Sequence, residues 1–114
     1  MKLPTPQEVL DAYKATGLTP APFSAFMQTE ETTHACALGA VAAAALLERG
    51  EEVTKDSVFE FLADSLDSWA VRHFMDGFDD TMGRSGLYRF SPLTPEYKMG
   101  CEAALAVMGS SEQS

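Results

Sequence analysis

The chain has 114 residues, with 17 Asp or Glu against 8 Lys or Arg, a net charge of −9. That length suits one domain around one hydrophobic core, and an apolar share of 46% is too high for global disorder. The acidic balance argues against nucleic acid and anionic membranes as partners, because both need a basic patch; it leaves solubility, a cation or a basic partner.

Two cysteines fall short of any zinc-site spacing. The opening Met-Lys-Leu-Pro-Thr-Pro lacks the apolar core of a signal peptide, so a cytoplasmic protein is expected, with Cys36 and Cys101 as reduced thiols.

The first helix is announced by Thr5 as N-cap, Pro6 at N1 and Glu8 at N3, with Val9, Leu10 and Tyr13 on its apolar side and Gly17 as its stop. Leu18 to Pro22 holds two prolines and reads as an extended connection. Phe23, Phe26 and Met27 have the spacing of one helical turn or a packed loop, and residues 28–33 read as an exposed polar loop.

The next stretch dominates the chain. From Ala35 to Leu47 thirteen consecutive residues carry no charge, and seven of them are Ala. Ala has the highest helix propensity, which predicts a helix over 34–49 with Thr32 or Thr33 as N-cap and Gly50 as the left-handed stop. A helix apolar on every side must be covered on every side. The run is too short to cross a membrane, which takes about 20 apolar residues.

A third helix starts after Thr54, with Val58, Phe59, Phe61, Leu62 and Leu66 at helical spacing. It breaks around 65–68, where Asp67 is placed to cap a fourth helix. That helix carries an apolar stripe at 71, 74, 75, 78 and 82, with Arg72, Asp76, Asp79 and Asp80 falling away from it. Residues 83–86 end it, and 87–93 read as a loop packed by Tyr88 and Phe90. A fifth helix opens at Thr94-Pro95, with Tyr97, Cys101, Ala104, Leu105 and Met108 inward; its small residues make it a partner for the central helix. Residues 109–114 read as a polar tail. The expected fold class is therefore all-α: a compact bundle of four to five helices around a buried Ala-rich central helix (34–49), with 1–114 as a single domain.

Three features invite chemistry. His34 and Cys36 open the central helix, and a helix N-terminus lowers a thiol's pKa. Residues two apart point about 200° apart on a helix, however, so they form no direct dyad, and Cys36 reads first as apolar filler. In the fourth helix, Asp76, Asp79 and Asp80 place three carboxylates against the macrodipole, with His73 three residues before Asp76. Arg72 and Arg84 stand at the spacing that would compensate them; a divalent cation on Asp76, Asp79 and His73 is the other reading. Gly77 within this helix implies close approach of another backbone, expected at Gly39 or Ala43 of the central helix. Trp69 lies opposite the apolar stripe and, with Met27, Met75, Met82, Met99 and Met108, supplies material for an adaptable interface.

No phosphate loop, nucleophile elbow, dinucleotide fingerprint or basic recognition helix is present in the sequence, and no cofactor is expected. The leading reading is a small non-catalytic binding or interaction domain whose partner is a second copy or another protein. The rival is a ligand-binding protein or enzyme with a site where His34, Cys36, His73 and Asp76 to Asp80 converge. A nucleic-acid mimic ranks last, because the carboxylates are spread along the chain.

Overall fold

The computed structural model describes residues 3–21, 26–28, 32–65, 68–83 and 94–113. Among them are five helices, α1 (Pro6–Thr16), α2 (Ala37–Glu48), α3 (Lys55–Leu62), α4 (Trp69–Gly83) and α5 (Pro95–Gln113), and three short strands, β1 (Thr19–Pro20), β2 (Met27–Gln28) and β3 (Thr33–Ala35).

The local signals set most helix ends. In α1 the Thr5 hydroxyl accepts from the Glu8 N–H while the Glu8 carboxylate accepts from the Thr5 N–H, a complete capping box, and Gly17 closes the helix at φ 70°. Thr54 caps α3 the same way, with Ser57 in place of an acid. The Thr94 hydroxyl accepts from the Tyr97 N–H at the start of α5. At the end of α2 the Gly50 N–H donates to Leu47 O and the Glu51 N–H to Leu46 O, with Gly50 at φ 74°. That pair of bonds satisfies two of the helix's orphan carbonyls and needs a left-handed residue between them. The proposed cap Asp67 and the 87–93 loop lie outside the described residues.

The fold is mostly helical but not purely so. β3 is the middle of a three-stranded sheet, parallel to β1 and antiparallel to β2. His34 pairs with Thr19 on one side and Met27 on the other. The central helix therefore begins at Ala37, not at residue 34, and Cys36 stands at its N-cap instead of Thr32 or Thr33, without a side-chain capping bond. Residues 33–35 hydrogen-bond to two neighbouring strands, and that tertiary gain overrides Ala propensity. The Ala35 carbonyl also accepts from the Ala21 N–H at 3.1 Å and the Tyr13 hydroxyl at 2.7 Å.

The fifth helix packs chiefly on α4 and also on α1, rather than on α2. Two glycines explain this. A Cβ on Gly77 would collide with the Tyr97 carbonyl oxygen and stand 3.2 Å from the Cys101 nitrogen; a Cβ on Gly100 would collide with the Phe74 carbonyl oxygen and stand 2.8 Å from the Phe78 nitrogen. Gly77 thus marks a close backbone approach, as expected, but its partner is α5. The buried side of α5 is Tyr97, Cys101, Ala103, Ala104 and Val107, while Leu105 is 56% exposed. The helix also runs through Gln113, so residues 109–113 of the expected tail belong to it.

The central helix is not covered all round. Leu38, Ala40, Ala42, Ala43 and Leu46 are buried with Val9, Val58, Phe74 and Phe78, but Val41, Ala44 and Ala45 are half-buried and Leu47 is 49% exposed.

Gly77→Ala is expected to destabilise the fold by about 3 kcal/mol or more, since two backbones must separate. Gly109→Ala, also in α5 but with nothing within 4 Å of its new Cβ, is expected to stabilise by about 0.5–1 kcal/mol. Urea denaturation followed by circular dichroism measures both.

Candidate functional site

The polar residues singled out in the sequence divide among three places. The first is the interior at the start of α2, where Tyr13 of α1, Cys36 and Asp79 of α4 come close enough for their charges to interact. Cys36 is 2% exposed. Burial pushes its thiol up to about 11, and the Asp79 charge adds to this. The N–H groups of Gly39 and Leu38 at the helix start pull the other way, the effect expected of a helix N-terminus, but desolvation wins. The same causes, burial first and then the Cys36 and Asp79 charges, hold the Tyr13 phenol well above its ordinary value. A nucleophilic thiol needs a depressed pKa and access, and Cys36 has neither. Cys101 is likewise a free, buried cysteine.

Asp79 and Asp80 do not fall away from the apolar stripe as expected; they are 9% and 8% exposed. Contact with α5 turns that side of α4 inward. The Tyr97 hydroxyl donates to Asp80 Oδ2 at 2.7 Å, a charge-assisted bond in the interior. Next to them the Thr81 hydroxyl, in a residue 2% exposed, has no hydrogen-bond partner among the described residues. Asp76 stays exposed, so the three aspartates do not share a face.

The second place is the outer side of α4. Trp69 is 58% exposed and stacks on His73, ring centroids 4.3 Å apart and tilted by 35°. His73 Nδ1 lies 3.0 Å from the Thr94 hydroxyl. Trp69, Arg72, His73 and Asp76 line a shallow hollow of about 320 Å³. The third place is β3, where His34 is half-buried with its Nε2 3.2 Å from the Thr32 hydroxyl. Thus Asp79 and Cys36 come together, but His34, His73 and Asp76 do not join them. Among the described residues no group of three or more His, Cys, Asp or Glu is placed to hold a metal ion, so Asp76, Asp79 and His73 make no common site.

A further feature, unread from the sequence, is a groove of about 420 Å³ between α1 and α2. Its α1 wall is Glu8, Asp11, Ala12 and Ala15; its α2 wall is Val41, Ala44, Ala45 and Glu48. Each set is spaced i, i+3, i+4, i+7, one helical face. That matching spacing in two helices was the available signal. The uncovered stripe of α2 is its floor.

No family model, curated protein or solved structure matches this chain.

Stability is expected to fall above about pH 9, the ordinary pKa of a cysteine thiol. The fold binds the Cys36 proton more tightly than the unfolded chain does, so its contribution is fully present below that pH and lost as pH rises toward 11. The loss is on the order of 2–3 kcal/mol. Denaturation from neutral pH to about pH 10 should show it, and Cys36→Ala should flatten it. Rapid labelling of Cys36 by a thiol reagent in the folded protein at neutral pH would contradict the assignment.

Tyr97→Phe is expected to cost about 1.5–3 kcal/mol, because it removes a donor from a buried carboxylate. The same denaturation series measures it, with helical content unchanged.

Proposed function

We propose that the chain is a small acidic interaction domain, a compact helical bundle that works without catalysis, and that it binds a protein partner across the groove between α1 and α2. One observation carries this reading. The central helix is apolar on every side, yet its Val41, Ala44 and Ala45 stay half open at this groove. Apolar surface gains about 25 cal/mol for each Å² removed from water, so this stripe favours a covering partner. The small side chains let another backbone approach closely. No helix among the described residues is long and apolar enough to cross a membrane, which is compatible with the cytoplasmic setting proposed for the chain.

The rival reading, a ligand or catalytic site at the start of α2, draws on the interaction of Asp79 with Cys36 and Tyr13. The buried, raised thiol speaks against it, as does the placement of His73 beside Trp69 and Thr94 on the outer side of α4.

The test is site-specific photo-crosslinking in living cells, with a small diazirine residue at Ala15 or Ala45 in the groove, and at Asp64 as an exposed control. The expected result is one discrete adduct, identified by mass spectrometry, from both groove positions and not from the control. Absence of any adduct, or the same adducts from all three positions, would overturn the reading.

A further inference from the structure

The groove has a charge pattern as well as a shape, and the chemistry of its occupant rests on its being a docking surface. Its floor is apolar and small, Ala12, Ala15, Val41, Ala44 and Ala45, and every charged residue on its walls is acidic: Glu8 and Asp11 on one side, Glu48 on the other. None of the three forms an ion pair among the described residues, where the ion pair present is Arg49 with Glu51. Two of them are already held in place by their own helix. Glu8 accepts the Thr5 N–H at 3.0 Å, and Asp11 accepts from the Gln7 amide at 2.9 Å. A charge whose side chain is fixed before binding loses less rotamer freedom when a partner arrives.

We infer that the groove receives an amphipathic α-helix of another protein, with an apolar seam of small or medium side chains flanked on both edges by Lys or Arg. The floor fits a helix because alanines on both walls allow interaxial distances at the short end of about 8–10 Å. The seam buries Val41, Ala44 and Ala45, and the flanking cations meet Glu8 and Asp11 on one edge and Glu48 on the other.

Charge decides between this occupant and its competitors. A second copy of the chain docking the same face would set Glu8, Asp11 and Glu48 against their own duplicates, and like charges brought together across an interface are unfavourable. The homodimer considered from the sequence is therefore disfavoured at this face. An anionic lipid surface or a nucleic acid meets the same repulsion. An uncharged apolar helix would cover the floor but would desolvate three carboxylates without pairing them, a cost that a basic flank removes.

The test uses the full chain and three synthetic helical peptides of about 20 residues, long enough to hold helix. The first carries an Ala/Leu seam flanked by Lys, the second has Glu in place of Lys, and the third is a scramble of the first with the same composition. Binding is read by nitrogen–proton NMR shift mapping and by anisotropy titration. The Lys-flanked peptide should bind at least about tenfold more tightly than the other two, with shifts at Ala12, Ala15, Val41, Ala44 and Ala45. Raising salt from about 0.05 to 0.5 M should weaken it about tenfold.

Two variants locate the effect. Glu8→Gln, Asp11→Asn and Glu48→Gln together keep the capping bonds and should lower affinity about tenfold and remove the salt dependence. Ala44→Arg should abolish binding by filling the groove and repelling the flanks. Equal affinity for the Lys peptide and its scramble, shifts centred on Trp69 and His73 instead, or sedimentation showing self-association that Ala44→Arg abolishes, would overturn the inference. Groove-directed crosslinks that persist while the Lys peptide fails would overturn the partner chemistry alone; loss of both would remove the docking surface as well.

Discussion

Backbone contact between α4 and α5 sets the interior of this molecule. Gly77 and Gly100 lie where the two helices touch, and neither position has room for a β-carbon. Helices this close cannot roll independently, so the rotation of α4 is determined by the contact. One consequence is that Asp79, Asp80 and Thr81 turn inward with Phe74 and Phe78. A buried carboxylate needs a hydrogen-bonding partner, and the Tyr97 hydroxyl of the neighbouring helix supplies one for Asp80. Asp79 lies near enough for its charge to oppose ionisation of Tyr13 on α1 and of Cys36 at the start of α2.

The same arrangement closes one end of the central helix and leaves part of its flank open. Tyr13 bonds the Ala35 carbonyl, β3 takes the residues just before α2 into a sheet, and α1 packs against both α2 and α5. The reactive group at that end, Cys36, is sealed and kept protonated. The open side lies between α1 and α2, and its lining includes none of His34, Cys36, Trp69, His73, Asp76, Asp79 and Asp80. Position decides what each polar group can do here. Inside the fold, burial and then the Asp79 charge raise the pKa of Cys36 and Tyr13, while Glu8, Asp11 and Glu48 at the groove's edge present a negative rim to whatever covers the alanines.

Much of the helical frame was legible in the sequence because its signals are local. Thr5 with Glu8, Thr54, Thr94, Gly17 and Gly50 act through bonds spanning three to five residues, and each stands at the end where it was expected. The stripe at 71, 74 and 78 was legible for the same reason, since periodicity reports a face directly. Trp69 also lies outside the core, as its angle to that stripe implied. The sheet was not legible. Strands of two or three residues leave no period to detect, and their hydrogen bonds join residues 19, 27 and 34, which only the fold brings side by side. Ala35 and Cys36 belong by propensity to the helix, yet stand before it. Gly77 announced a close approach without naming its partner, and the aspartates of α4 were misplaced because apolar character alone was used to assign its buried side.

The sequence by itself determined that helices dominate, where most of them start and stop, and that an uncharged run of alanines lies among them, because capping, propensity and periodicity are encoded within a few residues. Tertiary structure alone decided which helices touch, that residues 33–35 join a sheet, that Cys36 is sealed beside Asp79, and that one stripe of the alanine helix faces an acid-rimmed groove. Those outcomes depend on how closely two backbones approach and how each helix is rolled, and no short window of sequence contains both partners.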